Sequence, residues 1–249
     1  MKDLYPLELQ NYEIILKNVE LICNWYIESK FKCNLQVFSA EWLTTPLADK
    51  VFDIFYNIFK DSKYKPPVIL CADNMQFLKN DELTQKVESY IERMQSIGIA
   101  LVLSASIDGK YCDFGRTPNS DDFYAKLKTF MKKYHCMPHP MISASNIKHW
   151  INNFHWWREY FGIEIAYGMT MLEVRNEDWT LENIQDLITF CDYMVDETFK
   201  SLNNNKEEMF KYVFNINTDS KTMKNDTYNP IRFINTGFTS NGDTFTCSS

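Results

Sequence analysis

Five groups of small polar and charged residues follow short apolar runs along the chain, and these are the places where chemistry could be done. They are Ser39 and Glu41; Asp73 and Asn74; Ser104, Ser106 and Asp108; Ser143, Ser145 and Asn146; and Glu173, Arg175 and Asn176. Hydroxyls, amides, carboxylates and a guanidinium collected at one end of a sheet can hold a polar small molecule. Glu41 and Glu173 also offer a carboxylate pair, acid and nucleophile or base, for glycoside hydrolysis. That chemistry needs them about 5 to 10 Å apart across an open cleft. Turns and helix caps use the same residue types, so the recurrence at five run ends points to a ligand site more than any one residue does.

Thiols and imidazoles offer less. The seven cysteines, Cys23, Cys33, Cys71, Cys112, Cys136, Cys191 and Cys247, are odd in number and show neither CxxC nor CxxxCxxC spacing. A disulfide framework and a self-contained zinc site are both disfavoured, and free thiols packed as small hydrophobes are expected. His135 and His139 flank the start of an expected strand, the end away from the polar groups. His149 and His155 share an expected helix but are six positions apart and face different directions. Structural or solvent-facing histidines are expected. Trp150, Trp156 and Trp157 on that helix are expected to cover a sheet.

The elements that must position these residues follow from periodicity. Helical spacing runs from Leu7 to Ser29, and a short strand is expected within Cys33–Trp42. Thr44, Thr45 and Pro46 then open a helix reaching Lys60. Strands are expected at Pro67–Ala72, Ile99–Ser106, Pro140–Ser145 and between Ile163 and Val174. Helices are expected at Asn80–Ile97, Ser120–Tyr134, Ile147–Phe161 and Leu181–Leu202. Five strands alternating with amphipathic helices predict an α/β fold with a parallel sheet, open or closed into a barrel. The order opens on a helix, so a first strand is expected to be missing. In such barrels ligands gather at the carboxyl ends of the strands. Beyond Asn203 the pattern gives way to a polar tail, expected to be loop, a hairpin or the start of something cut off.

Composition narrows the class. The chain has 249 residues, 45% of them hydrophobic and 24% charged, which is enough to bury a sizeable core and excludes disordered and fibrous classes. Its seven glycines form neither GxGxxG nor GxxxxGK[ST], which disfavours Rossmann and P-loop nucleotide enzymes. A net charge of −7 argues against nucleic-acid and membrane-surface partners. No long apolar span or signal-peptide core is found, so a cytoplasmic location is expected.

The segment LVLSASIDGKYCDFGR, followed by HPMISASNIKHW, resembles the fourth and fifth core strands of radical S-adenosylmethionine (radical SAM) enzymes. It is most similar to the peptide maturases that carry a SPASM-type extension. FSAEW occupies the place of that family's Gly-Gly-Glu motif, with Ser39 and Ala40 replacing the glycines. NGDTFTCSS is similar to the start of the extension. The resemblance implies a partial (β/α) barrel of about five parallel strands over residues 1–202, with a linker and truncated extension over 203–249. It implies S-adenosylmethionine and a 4Fe-4S cluster in a full-length enzyme, acting by a 5'-deoxyadenosyl radical on a precursor peptide or protein.

By that resemblance Glu41 accepts from the cofactor's ammonium and Arg116 holds its carboxylate. Ser39, Ser106 and Asp108 stand beside them, and Asn146 and Asn176 are candidates for the ribose or adenine. Cys247 becomes a candidate auxiliary-cluster ligand. The family's CxxxCxxC loop, which follows the first strand, is absent here. The chain alone is therefore expected to be a fragment that holds neither cofactor stably and does not cleave S-adenosylmethionine. Self-association through an exposed sheet edge is expected. The alternatives are a cofactor-free barrel hydrolase using Glu41 and Glu173, or a non-catalytic peptide-binding module.

Overall fold

The computed structural model describes residues 12–30, 33–37, 42–113, 119–162, 172–173, 179–203, 234–238 and 244–248. In chain order these form α1 (Tyr12–Glu28), β1 (Leu35–Val37), α2 (Pro46–Phe59), β2 (Val68–Asp73), α3 (Asp81–Ser96), β3 (Ala100–Ala105) and α4 (Asp121–Lys133). They continue with β4 (Cys136–Pro138), β5 (Met141–Ile142), α5 (Trp150–Tyr160), β6 (Leu172–Glu173), α6 (Leu181–Asn203), β7 (Ile234–Phe238) and β8 (Thr244–Ser248). The order β1-β2-β3-β4 makes a four-stranded parallel sheet, β5 and β6 pair in parallel beside it, and β7 and β8 form an antiparallel hairpin.

Alternation along the strands divides the sheet into two different faces. Ile69, Cys71, Leu101, Leu103, Ala105 and Cys136 are buried on the outer face. They belong to one core with Phe52, Phe55 and Phe59 of α2, Val87, Ile91 and Met94 of α3, and Phe123, Leu127 and Phe130 of α4. Trp42, Phe52 and Tyr90 stack at 5.5 and 4.4 Å between centroids, and the Tyr90 hydroxyl donates to Asp49 Oδ1 at 2.5 Å, joining α2 to α3. Residues of the other parity, Leu70, Ala72, Val102 and Met137, are only half-buried. They line the inner, concave side of the partial barrel.

Local chemistry sets the helix starts. Pro46 occupies the first turn of α2. Asn80 Oδ1 accepts from Leu83 N at 3.0 Å at the start of α3, and Ser120 Oγ from Phe123 N at 3.2 Å at the start of α4. In α4, Asp121 and Asp122 fill the first turn and Lys132 and Lys133 the last, as the helix dipole favours. Thr180 and Asn183 cap α6 reciprocally, and Asn183 Nδ2 reaches back to Ala144 O at 2.9 Å.

One strand expectation needs correction. The fourth strand does not begin at Pro140. Cys136–Pro138 pairs with β3, and Met141–Ile142 pairs with β6. The prolines explain the split. His139 N–H donates to Ala105 O at 2.7 Å, so odd-numbered donors face β3 and those of Pro138 and Pro140 would face the other way. Proline has no such donor, and β6 can pair only beyond it. The β3 ladder stops where Asp108 Oδ1 takes the Met141 N–H at 2.7 Å in place of a strand carbonyl.

Candidate functional site

The inner face changes character from floor to rim. Leu70 and Val102 are apolar, and Ala72, Ser104 and Met137 form the next cross-strand row. Ser106 N–H donates to Asp73 O at 2.8 Å and His139 N–H to Ala105 O at 2.7 Å, so the register runs one residue past each strand. The next row is therefore Asn74, Ser106 and His139. It lies at the carboxyl ends of β2, β3 and β4, where barrel ligands bind. His139 thus stands on the candidate face and not away from it, because β4 begins at Cys136. Burial pushes its pKa below the ordinary histidine value.

Behind this rim a buried network holds the Asp108–Gly109 turn. Asp113, only 3% exposed, accepts from Asp108 N at 2.8 Å, Gly109 N at 3.1 Å, Asn119 Nδ2 at 2.9 Å and the Tyr124 hydroxyl. Burial first, then the Asp113 charge, raises the Tyr124 pKa and keeps it a donor. From α5, Asn153 Nδ2 donates to Asp108 O at 2.7 Å and Trp157 Nε1 to the same oxygen at 3.3 Å. Gly109 has φ +108, and a Cβ there would lie 2.6 Å from Asn153 Oδ1.

The sequence-derived candidates divide accordingly. Ser106 is on the rim. Asp108 is buried, and its carboxylate terminates the ladder as described. Asn146 is buried too: Oδ1 accepts from Ser143 N and Trp150 Nε1, both at 2.9 Å, and Nδ2 donates to Met141 O at 2.9 Å. Asp73 is turned to the outer face, where its Oδ1 accepts from Met75 N at 2.6 Å. Ser39, Glu41, Arg116, Arg175 and Asn176 lie outside the described residues. Glu173 ends β6 and Cys247 lies in β8, placed by backbone alone, so the Glu41–Glu173 spacing also lies outside the description.

Sequence spacing does not single out Asp113 or Asn153 as organising residues, or His139 as a rim residue. An acidic residue following a Ser-x-Asp-Gly turn was the available signal for Asp113, and the proline pair around His139 the signal for a split strand.

No family model matches this chain, and no curated protein matches its sequence. A solved structure matches its fold. It is anSMEcpe, a radical SAM SPASM enzyme, determined as a polyhistidine-tagged protein with bound AdoMet. The fold is that of a radical SAM partial barrel. The TM-score is 0.55 at 13% identity, over 78% of this chain and 50% of that one, so the chain spans about half the length of the protein it matches. The likeness is one of fold.

The described residues do not fit an iron–sulfur cluster. Cys23, Cys71, Cys112 and Cys136 are buried on separate parts of the chain, and burial raises each thiol, Cys23 to about 12 and the others further. A protonated thiol is a poor iron ligand. Among the described residues no three His, Cys, Asp or Glu side chains converge on a metal site. The nucleoside part of S-adenosylmethionine fits better, since an apolar floor under an uncharged polar rim suits a flat base and hydroxyls. No described helix is long and apolar enough to cross a membrane.

Proposed function

We propose that this chain is the ligand-cradling half-barrel of a radical SAM enzyme that modifies a precursor peptide or protein. The observation that carries the proposal is the fold likeness to anSMEcpe over 78% of the chain. The polar rim at the carboxyl ends of β2, β3 and β4 supports it, because that is where parallel barrels hold ligands. Glu41 would accept from the ammonium of S-adenosylmethionine and Arg116 would pair with its carboxylate. Ser39, Ser106 and Asn176 would line the remaining edge, with Asp108 and Asn146 fixing the loops beneath. Cys247 would serve an auxiliary cluster in a longer polypeptide. The thiolates of the radical-generating cluster would come from residues this sequence does not contain, so no chemical step is assigned to the chain itself.

Equilibrium dialysis against S-adenosylhomocysteine tests the proposal without iron. Without chelation of the amino-acid half to iron, the expected affinity is weak, with Kd of about 0.1–1 mM. No saturable binding at roughly tenfold higher ligand would overturn it. Sequencing the reading frame on both sides checks the larger claim, with an in-frame CxxxCxxC upstream as the expected result. A frame closed by start and stop signals, with no such motif, would remove the radical mechanism.

A further inference from the structure

We infer that the outer face of α6 is a docking seam for a cationic amphipathic helix of a separate polypeptide; the inference is independent of the proposed function. Leu181, Ile184, Ile188, Cys191, Val195 and Phe199 recur at helical spacing, and 3.6 residues per turn puts all six within about 80° of arc. They are exposed, Leu181 at 87%, Phe199 at 60% and Ile188 at 47%. The helix already makes its core contact on another face: Phe190 and Met194 are buried, Phe190 meets Trp150 at 5.7 Å between centroids, and Glu197 accepts from Arg158 at 2.7 Å. The row is therefore a second apolar face, beyond what packing on α5 requires. Scattered exposed apolar residues are ordinary, whereas a continuous row about five turns long marks an interaction surface.

The pattern and the charge around it define the occupant. Leu181, Ile188 and Val195 take the a places of a heptad, and Ile184 and Cys191 the d places. A helix laid along α6 would set its own a and d residues into the gaps of this row, whereas an extended strand repeats every two residues and does not match it. The acids of α6 are Glu182, Asp186, Asp192, Asp196 and Glu197, against Lys200 alone, which donates to Glu197 Oε1 at 2.9 Å. Glu182, Asp192 and Asp196 are exposed along the border of the row that faces away from α5. Lysines or arginines flanking the apolar row of a partner helix would pair with them. A second copy would bring the same acids to the same border, on a chain of net charge −7, so like charges oppose self-pairing. An anionic membrane surface meets the same repulsion.

The test uses the full chain and synthetic peptides about three heptads long with leucine at a and d. One carries lysine at e and g, one carries glutamate there, and one is the lysine peptide broken by central prolines. By fluorescence anisotropy in about 0.15 M salt, the lysine helix is expected to bind saturably, about fivefold or more tighter than the glutamate helix, and the proline peptide not to bind. Ile188→Gln, at an exposed site, is expected to weaken the lysine helix about tenfold with Tm unchanged. Asp192→Lys combined with Asp196→Lys is expected to reverse the order of the two helices, a result that general stickiness would not give. The bound lysine helix should slow alkylation of Cys191 and leave that of Cys33, also exposed, unchanged. Equal binding of the proline peptide, an unaffected Ile188→Gln, or no protection of Cys191 overturns the inference. Concentration-dependent dimerisation that Ile188→Gln abolishes, read by light scattering, also overturns it, because a second copy is then the occupant. Sedimentation with phosphatidylcholine vesicles that the same change abolishes overturns it in favour of a lipid surface.

Discussion

At the scale of single residues, Gly109 and the buried thiols make the sharpest demands. Gly109 has a φ that L side chains rarely adopt, and its missing Cβ leaves room for Asn153 and Trp157. Gly109→Ala is expected to cost about 2–4 kcal/mol, measured as a lower urea midpoint at constant slope. A cost under about 0.5 kcal/mol, ordinary for a surface change, would mean that α5 does not grip this turn. The pKa values of Cys71, Cys112 and Cys136 are raised from an ordinary value near 9 mainly by burial. Because the folded values are the higher ones, this contribution is complete below pH 9 and falls as pH rises toward them. Stability should therefore decline above about pH 9, each thiol costing up to roughly 1.4 kcal/mol per pH unit. Cys136→Ala should make the decline shallower, and denaturation at pH 8, 9 and 10 decides it. Cys33 and Cys191 are exposed, and should be labelled by thiol reagents before the four buried cysteines.

At the scale of elements, the join between β5 and α5 depends on Asn146. Its amide takes up the Ser143 N–H, the Trp150 ring N–H and the Met141 carbonyl, so one side chain closes the turn and anchors the helix. Asn146→Ala leaves these buried groups without partners, at about 2–3 kcal/mol in all, or roughly 5–10 °C in Tm for a chain of this size. Thermal unfolding followed at the tryptophans measures it, and an unchanged Tm would place the anchor elsewhere. The helices were largely legible because their caps and apolar faces are local. Expected Ser120–Tyr134 became Asp121–Lys133, and expected Leu181–Leu202 became Leu181–Asn203. The β4–β5 break is not legible in the sequence. Pro138 and Pro140 look like strand flanks in sequence, whereas only the pairing partners show which edge lacks its donors.

At the scale of the whole molecule, the four-stranded sheet has helices on its outer face and a half-buried inner face whose polar rim lies at the carboxyl ends. Anaerobic incubation with iron and sulfide, followed by desalting, is expected to leave no stoichiometric iron on this chain. A stable cluster with its visible absorption would show that cysteines separated in the fold can gather, contrary to their burial. The sequence by itself determined the α/β class, the parallel order and the outer core, because repeating apolar periodicity forces elements to bury one face against another. It also determined the lack of a CxxxCxxC loop. Only the tertiary structure decided which polar residues share the site. Asp108 and Asn153 are 45 positions apart in sequence yet share a hydrogen bond, and His139 reaches the rim through pairing with β3. Such contacts depend on register and strand direction, which cross-strand hydrogen bonds set in three dimensions and local spacing does not encode.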